Sequence, residues 1–279
     1  YQFCNLNEVV VRGADTPSSL KAKVRLATIL GTFQSTLTDF KYLRKIWKDN
    51  TEEERLLGVS LTGIMDNHYT NLPTADFLKK LKATAVEVNK ELAKTLKIPQ
   101  STAITCVKPS GTVSQLVDSA SGIHTRHSPY YIRTVRCDTK DPLTSFMIEK
   151  GFPNEPDVTN PTSVTVFSFP IKSPDRAVCR NDVGAIQQLE IWLLYQKHWC
   201  EHKPSVTISV KDHEWMDVGA WVYKNFDHVA GISFLPYADH VYQQAPYQDC
   251  DKKQYENLLK QMPNGVDFSA FVEDKDNTT

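Results

Sequence analysis

The sequence has no Cys-x-x-Cys pair among its six cysteines, no surplus of charge of either sign, and no apolar run approaching the roughly 18–20 residues that cross a bilayer. Each absence excludes something. Cysteines at 4, 106, 137, 179, 200 and 250 without paired spacing argue against a zinc knuckle or a disulfide ladder. They fit a reducing, cytoplasmic setting, as does the lack of a secretory leader. With 32 Lys and Arg against 33 Asp and Glu, the net charge is −1. Nothing global draws such a chain to nucleic acid or to an anionic membrane, so any anion must be bound locally. A Walker A pattern is missing, and Asp66, Asp212 and Glu214 have no spacing that marks an acid–base pair. The chain opens on Tyr1 rather than Met and closes on the polar "VEDKDNTT"; both ends read as cut from, or processed out of, something longer.

What is present alternates. Short, apolar, β-branched runs at 3–11, 57–64, 102–107, 163–169, 205–210 and 231–235 read as strands buried on both faces. Between them lie amphipathic helical patterns at 18–35, behind a Ser18 N-cap, and at 74–96, behind Thr74 and stopped by Pro99. Further helices are expected at 143–150, 182–200 and 214–225. Strands separated by whole helices predict an α/β fold with mainly parallel strands. Residues 118–161 read as mostly loop with one short helix, and a long irregular insert of this kind is more often functional than decorative.

Three stretches stand out chemically. "VKPSGTVS" (107–114) ends a strand in a turn of small and hydroxylated residues. Gly111 permits close backbone approach, and N–H groups converging there would make an anion site; the alternative is a plain proline turn. "FCNLNEVVV" places Cys4 at the start of a strand, with Glu8 further on. A free cysteine is usually a buried hydrophobe, although strand ends in α/β folds are where reacting groups collect. "SGIHTRHSPYYIRTVR" (121–136) is either a surface loop feeding a short strand or a cationic, aromatic loop beside the phosphate turn. "HWCEH" (198–202) has metal-ligand residue types, but its spacing keeps the three off one helical face, which favours a structural role.

Taken in order, "CNLNEVVVR", "KPSGTVSQLVDSASGIHTRHSPYYIRTVR" and "KPSVTISVKDHEWMDVGAWVYKNFDHVAGISFLPYADHVYQQAPYQD" resemble the C-terminal half of the catalytic chain of adenosylcobalamin-dependent, class II ribonucleotide reductases. The resemblance covers nearly the whole chain. It implies the second half of a ten-stranded α/β barrel over residues 1–279, with a polar tail from about 265. It also implies reduction of ribonucleotides to 2′-deoxyribonucleotides through a thiyl radical, with adenosylcobalamin as cofactor of the complete enzyme. On this likeness Cys4 is one of the two reducing thiols, and Pro109, Ser110, Gly111, Thr112, Val113 and Ser114 hold the substrate phosphates. The radical cysteine, the partner of Cys4 and the effector region would lie in the N-terminal half, in the same chain or a separate polypeptide. A thioredoxin-type reductant is the further partner; nucleic acid and membrane are not. The piece alone is expected to be inactive. The other reading is a non-catalytic nucleotide-binding half-barrel that acts as a scaffold.

Overall fold

A computed structural model of the chain describes residues 1–237 and 242–271. In chain order its elements are β1 (Asn5–Val10), α1 (Pro17–Gln34), α2 (Lys45–Glu54), β2 (Leu57–Thr62), α3 (His68–Asn71), α4 (Ala75–Leu96), β3 (Thr105–Cys106), α5 (Val113–Leu116), β4 (Tyr130–Asp138), α6 (Pro142–Glu149), β5 (Asn154–Pro156), β6 (Val164–Lys172), α7 (Ala185–His198), β7 (Thr207–Val210), α8 (Trp215–Lys224), β8 (Ser233–Pro236), β9 (Tyr247–Asp249) and α9 (Lys252–Gln261). They fall into two compact units, one of residues Tyr1–Arg126 with Pro174–Tyr237, the other of His127–Ser173 with Ala238–Thr279.

The first unit is the parallel α/β body. β1 pairs with β2, β2 with β3, and β7 with β8, all parallel. A parallel bridge between Val107 and Pro204 joins the two sets, with Ser205 N–H donating to the Val107 carbonyl at 2.8 Å. The strands therefore run β1-β2-β3-β7-β8, the five of a half-barrel. Alternation along each strand then sorts the side chains. Val9, Val11, Leu57, Val59 and Leu61 enter the core with Leu20 and Val24 of α1, Leu78 and Leu81 of α4, and Leu189 and Trp192 of α7. Each fully buried side chain of this size contributes about 1.5–3 kcal/mol. Cys4, Leu6 and Glu8 of β1, Gly58, Ser60 and Thr62 of β2, and Cys106 of β3 are left on the opposite, inner face.

Helix boundaries follow local chemistry. The N-cap of α1 is Thr16, not the expected Ser18: Pro17 takes the first helical position, and Thr16 accepts from Ser19 N–H in a reciprocal capping box. Thr74 caps α4 as expected, and Lys97 ends it in the left-handed conformation two residues before Pro99.

The second unit is an antiparallel sheet in the order β5-β6-β4-β9. The parallel expectation therefore holds in the first unit and not here, and 118–161 is more regular than its sequence suggests. β4 is a nine-residue strand whose polar residues obscure it. Arg133 lies 4.4 Å over the Tyr247 ring, and Arg136 is paired with Asp157 at 2.7 Å. Of the polar tail, 272–279 lie outside the described residues; Phe268–Ala270 form a short 3₁₀ turn. Among the described residues no helix is long and apolar enough to cross a membrane.

Candidate functional site

The inner face begins at Cys4, half-buried beside the start of β1. A Cβ on Gly58 would lie 3.3 Å from Cys4 Sγ and 3.4 Å from Cys106 Sγ, so the glycine makes room for two sulfurs. Those thiols flank β2 from opposite sides. Both thiols are free. His202 Nε2 is 4.0 Å from Cys4 Sγ and 2.8 Å from the Leu57 carbonyl. A carbonyl only accepts, so Nε2 carries the proton and His202 is no base toward Cys4. Burial raises the Cys4 pKa, with Lys108 opposing in part. Cys4 is therefore a protonated thiol near neutral pH. That form suits a hydrogen donor better than a nucleophile, which needs a thiolate.

Four residues along the same face, Glu8 Oε2 accepts from Ser110 Oγ at 2.9 Å. This bond ties the 107–114 turn to β1, and Lys108 N–H to Ser60 Oγ at 2.9 Å ties it to β2. Ser110, rather than Gly111, takes the left-handed conformation, with φ of +53°. Gly111 faces open space: a Cβ there would meet nothing within 4 Å. Among the described residues no acceptor meets the N–H of Ser110, Gly111, Thr112 or Val113. Four consecutive N–H groups, three of them on exposed residues, are thus left open to solvent, an arrangement able to receive an anion. Pro109 and Thr112 are exposed on its rim. Ser114 is buried, and its hydroxyl turns inward to the Gly111 carbonyl at 3.4 Å, bracing the turn.

A second layer holds the turn from behind. Ser121 Oγ donates to the Pro109 carbonyl at 2.6 Å. Gly122 has φ of +56°, and a Cβ there would lie 2.4 Å from the Lys108 carbonyl. His124 Nε2 accepts from Thr207 N–H at 3.0 Å, so Nδ1 carries the hydrogen and donates to the Ser121 carbonyl at 2.8 Å. Burial lowers the His124 pKa, consistent with this neutral tautomer. Arg126 is buried and bonded twice to Asp66, at 2.8 and 2.9 Å, and once to Asp118 Oδ1 at 2.9 Å. Arg126 is thus a tether of the 118–126 segment, which decides against a cationic loop there. Lys108 is the cation that lowers the pKa values of Cys4, Glu8 and Cys106 together. Sequence reasoning noted Glu8 and the stretch holding Lys108 but gave neither residue a role, because their importance arises only when the turn folds back on β1.

The "HWCEH" residues serve the fold. Trp199 Nε1–H donates to the Cys106 carbonyl at 2.8 Å, Glu201 accepts from Ile104 N–H at 2.7 Å, and His202 is spent on Leu57. Glu214 accepts from Lys211 and Ala185 N–H groups, each at 2.9 Å. A groove of about 790 Å³ between α1 and α4, floored by Phe77 and Leu81, lies in the helix layer rather than on the thiol face.

No family model matches the chain. Curated relatives do. The adenosylcobalamin-dependent ribonucleoside-triphosphate reductase of Euglena gracilis is 27% identical over 276 residues, covering 88% of this chain and 37% of its own. That of Lactobacillus leichmannii is 26% identical over 306 residues, covering 97% and 41%. Among solved structures, a B-12-dependent (class II) ribonucleotide reductase superposes with a TM-score of 0.84 at 25% identity, over 99% of this chain and 42% of that one. The chain thus spans about two fifths of the length of these relatives.

Proposed function

From homology with class II ribonucleotide reductases along nearly the whole chain, we propose that this protein forms part of such a reductase and supplies one reducing thiol and the phosphate-binding turn. The observation that carries the reading is the inner face itself. A protonated thiol at Cys4 and an anion receptor at Ser110–Val113 are joined along one strand through Glu8. Cys4 and Glu8 are four residues apart, about 13 Å along β1. A ligand with a reducible carbon at one end and phosphates at the other fits that separation. The substrate is a ribonucleoside di- or triphosphate, and the relatives' names favour the triphosphate.

The reaction balances through two thiols. The 2′-hydroxyl leaves as water, a C–H bond forms in its place, and two S–H groups become one disulfide. Cys4 provides one of them. On the family resemblance, its partner belongs to the remaining half of the barrel. A thioredoxin-type reductant in a cytoplasmic setting would restore the pair. Adenosylcobalamin supplies, when bound to the complete enzyme, the oxidising equivalent that starts the radical chemistry. The thiols, hydroxyls and lysine of this face suit a polyanionic nucleotide, not a corrin ring, so no residue of this chain is assigned to the cofactor.

The test is Cys4→Ser in the full-length reductase. Turnover should fall to background while ribonucleotide binding stays within about twofold of wild type. Sustained turnover by the variant would remove the thiol role.

A further inference from the structure

Glu8 is an odd residue to find beside an anion receptor. A carboxylate there repels the phosphates that the four N–H groups attract. Yet it is built in: Oε2 accepts from Ser110 Oγ at 2.9 Å, and Oε1 is buried without a hydrogen-bond partner among the described residues. Resting on the phosphate-turn reading, we propose that Glu8 is a positioning residue that fixes Ser110 and takes up a proton as the substrate's phosphates bind.

The two oxygens divide the work. Oε2 accepts from Ser110 whether the group is ionised or not, so the left-handed Ser110 keeps its anchor in both states. Oε1, without a partner, is the oxygen free to carry the proton. Burial already raises the Glu8 pKa, while the Ser110 bond and Lys108 pull it back. An arriving polyanion adds a like charge and pushes it further up. The other ionisable groups near Glu8 do not substitute for it. Cys4 and Cys106 are protonated thiols. Arg12 donates to the Asp118 carbonyl at 2.8 Å, and Lys23 is paired with Asp15 at 2.6 Å. Lys108, whose charge already acts on Glu8, is the cation assigned to meet the phosphates.

The sign follows. Between the pKa of Glu8 in the free protein and the higher value beside bound phosphate, binding consumes a proton, so affinity rises as pH falls through that window. The experiment is calorimetric titration of cytidine 5′-triphosphate into the full-length reductase, in two buffers of different ionisation enthalpy, from about pH 4.5, the ordinary value that burial raises, to about pH 8. Wild type should take up a proton that Glu8→Gln does not, with affinity steepening toward about tenfold per pH unit. Glu8→Gln keeps the acceptor for Ser110 and mimics the neutral acid, so it should bind with a flatter pH profile. Glu8→Ala and Ser110→Ala break the same bond from either side, and should weaken binding and raise KM more than they lower kcat. Identical proton uptake in wild type and Glu8→Gln would overturn the inference while leaving the turn intact. Loss of all nucleotide binding at the turn in wild type would overturn the turn reading and the inference together.

Discussion

Two sulfurs meet over Gly58, and they differ in burial. Cys106 is almost fully buried and its pKa is pushed up to about 12 by desolvation, with Cys4 and Glu8 adding to the rise and Lys108 opposing it. Its ordinary value is 9.0. The folded state thus holds a proton that the unfolded chain has already released between those limits. The stability linked to the buried thiol is complete below 9.0 and drains away as pH climbs toward about 12. The loss is on the order of a few kcal/mol at most. Urea unfolding followed from about pH 8 to about pH 10.5 should show Cys106→Ala losing less stability than wild type. Parallel curves would mean that the desolvated thiol is not where the alkaline sensitivity resides. Cys4 is the contrasting residue: it is less buried and faces the same side.

At the scale of elements, the turn is only as good as the segment behind it. Gly122 occupies a left-handed conformation against the Lys108 carbonyl, and neither feature tolerates a side chain. Gly122→Ala should cost about 1–3 kcal/mol and displace Lys108 and Ser110, weakening nucleotide binding. Gly111→Ala, facing open space, should leave thermal stability nearly unchanged. A melt and a nucleotide titration on both variants separate bracing from binding. The same elements show what the sequence could and could not reveal. The strands of the parallel body were legible because each is an apolar, β-branched run, and α1, α4 and α7 because their apolar residues recur on one face. α2 and α9 were missed, since each carries too few apolar residues to form a stripe. β4 was read as at most a short strand, because its arginines find partners far along the chain, at Tyr247 and Asp157, which no local pattern encodes. Cys4 and the 109–114 turn stood out from their residue types, but their roles came from the family resemblance. The Glu8–Ser110 bond joins residues 102 apart and had no sequence signal.

For the whole molecule, the unanswered surface is beside β1. Among the described residues this strand pairs only with β2, which leaves an edge that a folded protein normally covers. Next to it, Leu26, Leu30 and Phe33 on α1 and Leu37 just beyond it are 61%, 63%, 49% and 72% exposed. A groove of about 310 Å³ between β1 and α1 runs along Leu26 and Leu30. An unpaired edge beside an apolar stripe is how a protein presents a surface that something else completes. The chain spans 42% of the class II reductase it superposes on, and our reading assigns the cover to the rest of that barrel. Leu30→Lys in the full-length protein decides the matter. If the stripe is covered, the substitution buries a charge and forfeits a leucine, and should lower stability by about 1.5–3 kcal/mol or more. If it faces water, the cost should stay within about 0.5 kcal/mol. Thermal or denaturant unfolding of that single variant distinguishes the two, and the smaller value would detach this stripe from the barrel interface.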